Sequence, residues 1–223
     1  MCGRFALKAP PAELVTYFGL DECMDFEPRY NIPPGTEIAV IRQSPEGQRV
    51  LHALRWGLIP HWAKDPGIGS KLNNARGESV QEKPSFRDAF KRRRCLIPAD
   101  GFFEWKTEGK AKQPYFFSHR SGKPLAMAGL WESWKAPDGT IIRTACIITT
   151  AANALMAPVH DRMPVLIGPD DWQAWLSESS DAVITLVRPC AEADLQAWPV
   201  DRRVSRTTEN DQGLIAPLSI EFP

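Results

Sequence analysis

A chain of 223 residues, 43% of them hydrophobic, can bury one sizeable core and needs no second domain, so residues 1–223 are expected to form a single domain. Its 27 basic and 27 acidic residues cancel, which excludes attraction of a polyanion by net charge and leaves only a local basic surface for that role. The start lacks a charged stretch followed by an apolar one and no run of about 18 apolar residues occurs, so a soluble cytoplasmic protein without membrane contact is expected.

Pro10 and Pro11 open a helix predicted over residues 11–18, with Leu14, Val15 and Phe18 on one face and Gly19 as its stop. Strands are predicted at 37–42 and 49–54. Ser85 followed by Asp88 reads as an S-x-x-D capping box opening a second helix, with Phe86, Ala89 and Phe90 on one side and the basic run Lys91-Arg92-Arg93-Arg94 at its end. Further strands are predicted at 95–97, 115–118, 125–131, 144–149, 165–167 and 183–186. Asp170, Trp172, Trp175 and Leu176 mark a third helix, and residues 191–198 a fourth, stopped by Pro199. Strands outnumber helices without alternating regularly with them. That pattern argues against a doubly wound parallel sheet and predicts an α+β domain with a curved, mostly antiparallel sheet and flanking helices.

The five cysteines contain no C-x-x-C pair, and His52, His61, His119 and His160 contain no metal-binding pair, so neither a disulfide framework nor a metal site is expected. Without a Walker loop, and with Gly67-Ile68-Gly69-Ser70 too short for a dinucleotide fingerprint, no cofactor is expected either. Cys2 stands apart. Once Met1 is removed, it carries an α-amine (ordinary pKa about 7.7 to 8) next to a thiol (about 8.5), two nucleophiles on adjacent carbons. Such a 1,2-aminothiol condenses with an aldehyde to a Schiff base that the thiol closes to a thiazolidine. Position alone favours a small buried residue beginning a strand.

Glu104, set among aromatics in Gly101-Phe102-Phe103-Glu104-Trp105, reads either as a proton shuttle raised by apolar surroundings or as the outward residue of a surface strand. His160 reads as an acid–base group that Asp161 and Arg162 could orient, or as a turn residue. Asn73-Asn74-Ala75-Arg76 has the look of a loop offering amides to a sugar and a guanidinium to phosphate. Arg4, Arg55 and the run 91–94 could build a phosphate-binding face, with Trp56, Trp62 and Pro33-Pro34 as stacking or wedging surfaces.

Seven separated motifs occur in one order: Met1-Cys2-Gly3-Arg4-Phe5, Tyr30-Asn31-Ile32-Pro33-Pro34-Gly35, Arg55-Trp56-Gly57-Leu58-Ile59-Pro60, Asn74-Ala75-Arg76, Pro98-Ala99-Asp100-Gly101-Phe102-Phe103-Glu104-Trp105, Ile148-Thr149-Thr150-Ala151-Ala152 and His160-Asp161-Arg162-Met163-Pro164. Together they resemble the SRAP family, the SOS-response-associated peptidase or abasic-site-processing proteins, over nearly the whole chain. The resemblance implies a single mixed α+β domain with a positively charged groove leading to Cys2. It implies a monomer, associated with the nucleoid in a bacterium, that crosslinks itself through a thiazolidine at Cys2 to abasic sites in single-stranded DNA and so protects the lesion. By position, Glu104 matches the family's catalytic glutamate, His160 its histidine and Asn74 the asparagine that places the sugar. Arg4, Arg76 and Thr149 match DNA-contacting positions, as do Trp62 and Pro34 more loosely. The stretch between Trp62 and Asn74 and the segment Val200-Asp201-Arg202-Arg203-Val204-Ser205 depart from the family pattern. Two other functions fit the same residues: an N-terminal-nucleophile cysteine peptidase, whose surviving role would be autolytic removal of Met1, and a non-covalent single-strand binding module.

Overall fold

The structure is a computed structural model and describes residues 2–218. Alternation along β4 (Glu37–Gln43) and β5 (Arg49–Trp56) puts one face of each strand in the core, and the two pair antiparallel. β7 (Arg94–Ala99) is buried throughout and joins β4 to β10 (Leu125–Lys135), which pairs with β11 (Ile141–Ala151). The middle of β11, Thr144 to Thr150, is buried on both faces, which explains its unbroken apolar and small-residue run. β11 also pairs in parallel with β5, opposing Thr144 to Arg55 and Ala145 to Trp56, so the five strands close into a barrel. β2 (Glu22–Cys23) borders β5, while β6 (Asn74–Arg76) and β12 (Arg162–Pro164) flank β11.

A second sheet has the order β13 (Leu195–Pro199), β9 (Ala111–His119), β8 (Gly101–Glu108), β1 (Phe5–Leu7) and β3 (Arg29–Ile32). Asp100 links β7 to β8 and, through one carboxylate oxygen, accepts the main-chain N–H groups of Lys8 and Ala9 at 2.5 and 2.9 Å, pinning the end of β1. At Gly101 a Cβ would sit 2.4 Å from both the Phe116 ring and the Phe117 carbonyl, so the crossing of the two strands requires glycine there. Among the described residues nine strand pairs are antiparallel and three parallel, in agreement with the expected α+β class.

Helix α1 (Pro11–Phe18) occupies the expected span, ending at Gly19 with φ 59°. The capping box does not form. α2 (Arg87–Arg92) begins after Phe86, and the N–H groups of Phe86 and Arg87 are already held by the Lys83 carbonyl, so Ser85 lies inside a turn instead of ahead of a helix. α3 (Trp172–Ser177) is the expected third helix. The strand expected at 183–186 is the end of α4 (Ser180–Val183), capped by Ser179, and a 3₁₀ turn, Ile184–Leu186. The helix expected at 191–198 is a 3₁₀ turn followed by β13, because the open edge of β9 takes up its backbone hydrogen bonds from Leu195 to Pro199. The segment 165–167 forms no strand; it makes an isolated bridge, Leu166 to Met127, and the Val165 N–H donates to the Ile148 carbonyl at 2.9 Å.

Arg94, expected in a phosphate-binding face, is buried. Its guanidinium donates to the carbonyls of Trp175 and Phe90, both at 2.6 Å, and to that of Glu178, tying α2 and α3 to β7. Arg94→Met would leave those carbonyls without a donor, and a loss of about 3 kcal/mol or more is expected, one to three per orphaned group. A thermal unfolding curve should show the midpoint falling by roughly 6–12 °C.

Candidate active site

β1 is the element that delivers Cys2. Its register with β8 opposes Phe5 to Phe102 and Ala6 to Gly101, and the Phe103 N–H donates to the Arg4 carbonyl at 2.9 Å. Continued past Arg4, this register brings Cys2 alongside Glu104 and Trp105. Cys2 is fully buried, and its carbonyl accepts the Asn74 side-chain N–H at 2.9 Å. Asn74 can reach it because β6 is not a loop: it is a strand beside β11, opposing Asn74 to Ile147 and Arg76 to Thr149. Met1, whose removal frees the Cys2 amine, lies outside the described residues.

Glu104 is 3% exposed, so the surface-strand alternative does not hold; both faces of β8 are covered, Phe102 packing into the main core and Phe103 into a smaller cluster behind it. Burial raises the Glu104 carboxyl above its ordinary value, an effect that His160, among other groups, opposes by favouring the carboxylate. The nearest atoms of the pair, Glu104 Oε2 and His160 Nε2, are 4.0 Å apart. Burial, with the Glu104 charge in second place, pushes the Cys2 thiol far above the usual thiol range. His160 sits in the turn that closes onto the Met156 carbonyl, and its Nδ1 accepts the Arg162 main-chain N–H at 2.9 Å. Arg162 therefore orients the ring with its backbone, not its guanidinium.

The other expected residues are dispersed. Thr149 is buried, donates to the Ala75 carbonyl at 3.4 Å and accepts from Arg162 at 3.3 Å. Arg4 is also buried, its guanidinium donating to Asn31 Oδ1 at 2.6 Å and the Val204 carbonyl at 2.8 Å, with Trp105 beneath it. Arg76 is exposed. Trp62 is 48% exposed, with its indole N–H on the Pro84 carbonyl at 3.3 Å, and Pro34 lines a separate hollow with Arg55 and Asn73. Glu104 and His160 open onto a cleft of about 410 Å³ completed by Trp105, Lys112 and Ser205. Sequence reasoning missed those three; Trp105 lies within a quoted motif, but nothing local marks Lys112 or Ser205. Among the described residues no group of three His, Cys, Asp or Glu could hold a metal ion, and no helix is long and apolar enough to cross a membrane.

Fold and site together define an α+β protein in which a cysteine next to the chain start is set beside a buried carboxylate and a histidine at a solvent cleft. The model of the SOS response associated peptidase (SRAP) family matches residues 1–207, and the chain belongs to that family. It is 40% identical over 222 residues to the abasic site processing protein YoqW of Bacillus subtilis, covering 96% of this chain and 99% of that one. With the abasic site processing protein YedK of Escherichia coli it shares 31% identity over 228 residues, covering 98% and 100%. A crystal structure of a protein from Bacteroides thetaiotaomicron superposes with a TM-score of 0.88 at 25% identity, covering 97% of this chain and 100% of that one.

Proposed function

We propose that this chain, as one domain acting as a cytoplasmic monomer, senses abasic sites in single-stranded DNA and traps them covalently through Cys2. The observation that carries the reading is the convergence of Cys2, Asn74, Glu104 and His160 from four separate segments. Its relatives' names supply the substrate. Asn74 grips the Cys2 carbonyl, which fixes the residue while leaving its amine and thiol unengaged by that contact. His160 assists opening of the sugar to its aldehyde. The Cys2 amine adds to the aldehyde carbon, Glu104 takes the amine proton and returns it to the departing hydroxyl, and water leaves as the Schiff base forms. The thiol then adds across the C=N bond, its proton passing to nitrogen, and the thiazolidine closes. Arg76, exposed on β6, pairs with phosphate; Arg4, just ahead of β1, is tied to Asn31 of β3 and to the Val204 carbonyl and holds the strand that delivers Cys2.

The raised thiol favours this order over a peptidase that opens with thiolate attack, because the thiol is held protonated until a reactive C=N bond stands next to it. The test is a denaturing gel under reducing conditions. Protein with a free Cys2 should give a heat-stable shifted band with a single-stranded oligonucleotide carrying an abasic site and none with the intact oligonucleotide. No shifted band with the lesion removes the covalent reading, whereas ordinary salt-sensitive retention without an adduct supports a non-covalent module.

A further inference from the structure

We propose that Glu78, outside the cleft and in none of the seven motifs, is a positioning residue that fixes the tautomer of His160 through Arg162. The inference rests on His160 acting as the acid–base group of the proposed reaction. A neutral imidazole carries one proton, and the partner of one nitrogen decides which. His160 Nδ1 accepts the Arg162 N–H, so the proton resides on Nε2, the nitrogen that faces Glu104. A competing pull exists. The Asp161 carboxylate lies 3.0 Å from the same Nδ1 and would accept a proton placed there, but its side chain is 87% exposed and water screens it. The balance therefore turns on where the Arg162 backbone is held.

Two ties hold it. Arg162 opposes Ala151 across β12 and β11, and its side chain turns back to donate to the Thr149 carbonyl at 2.7 Å. Glu78 then forks the guanidinium, accepting from Nη1 at 2.5 Å and Nη2 at 2.9 Å, a bidentate geometry that fixes direction as well as distance. Arg162 and, more weakly, Arg76 hold the Glu78 carboxyl below its ordinary range, so the fork is an ion pair at neutral pH. Glu78 lies in the 3₁₀ turn Gly77–Ser79 that directly follows β6. One ion pair thus couples the strand that carries Asn74 to the turn that carries His160. Without it, the Arg162 N–H can drift from Nδ1, Asp161 captures the proton, and a lone pair instead of an N–H faces Glu104.

Nitrogen-15 NMR of the labelled, DNA-free protein at alkaline pH, where imidazoles are neutral, reads the tautomer directly. The wild type should show protonated Nε2 at His160. In Glu78→Gln a measurable share should move to Nδ1, and adduct formation and release should slow by roughly tenfold, the scale of losing an orienting partner, with DNA affinity unchanged. Arg162→Lys, which keeps the charge but not the fork, should do the same while remaining folded by thermal melting. Unchanged tautomer and rates in both variants overturn the proposal. So does tighter DNA binding with an unchanged tautomer, which would make Glu78 a competitor of phosphate. A tautomer shift in a protein whose wild type forms no adduct upholds the positioning role and defeats the covalent function instead.

Discussion

Protein that keeps Met1 will form no denaturant-resistant adduct with abasic-site DNA, although its Cys2 thiol is intact. An acylated nitrogen cannot condense with an aldehyde, and a thiol alone gives only a labile hemithioacetal. The structure sharpens the expectation, since burial and the Glu104 charge hold the thiol protonated and deny it the role of first nucleophile. Cys2→Ala should lose the thiazolidine equally, by way of the other half of the pair. Both proteins should keep salt-sensitive DNA binding, because neither change touches exposed cations such as Arg76, to which the proposed function assigns the phosphate contact. The measurement is mass spectrometry of the N-terminus beside the crosslinking gel. A stable adduct from protein confirmed to begin with Met1 would sink the mechanism.

Glu104→Gln should slow crosslinking by roughly a hundredfold or more, the usual loss for a general acid–base group, and should at the same time stabilise the fold. The two effects share one cause. Burial raises the Glu104 carboxyl in the folded protein above its unfolded value, so the folded state holds the proton more tightly. Stability from this group is therefore greatest below the ordinary carboxylate range and is lost as pH rises through the raised folded value, where the carboxyl becomes a buried charge. Gln keeps the shape and removes that charge. Its melting temperature should exceed the wild type's at neutral pH, by about 2–4 °C per kcal/mol, and the gap should close as pH falls below the carboxylate range. A variant that crosslinks at the wild-type rate, or that melts lower at neutral pH, would show that Glu104 is a structural carboxylate.

Local signals sufficed for part of this protein. The prolines at 10 and 11 and the glycine at 19 define α1, the β-like runs at 37–42 and 49–54 mark two barrel strands, and the strand-rich pattern without long intervening helices yields the α+β class. The order of the seven motifs was enough to mark the family and to single out Cys2, Asn74, Glu104 and His160 as candidates. Contacts were another matter. A period of two tells which residues of a strand are buried but not which strand lies beside it, so the parallel pairing of β5 with β11 that closes the barrel has no sequence mark. For the same reason Asn74 read as a loop residue until β11 supplied its partner, and 191–198 read as a helix although the edge of β9 makes much of it a strand. Burial of charge was equally hidden. Arg94 and Arg4 look like surface cations in the chain, yet carbonyls from distant elements, Trp175 and Val204 among them, surround them only once the sheets have packed. The sequence determined which groups could react; the tertiary structure decided which of them meet, because hydrogen bonds and desolvation act across space between residues that the chain keeps far apart.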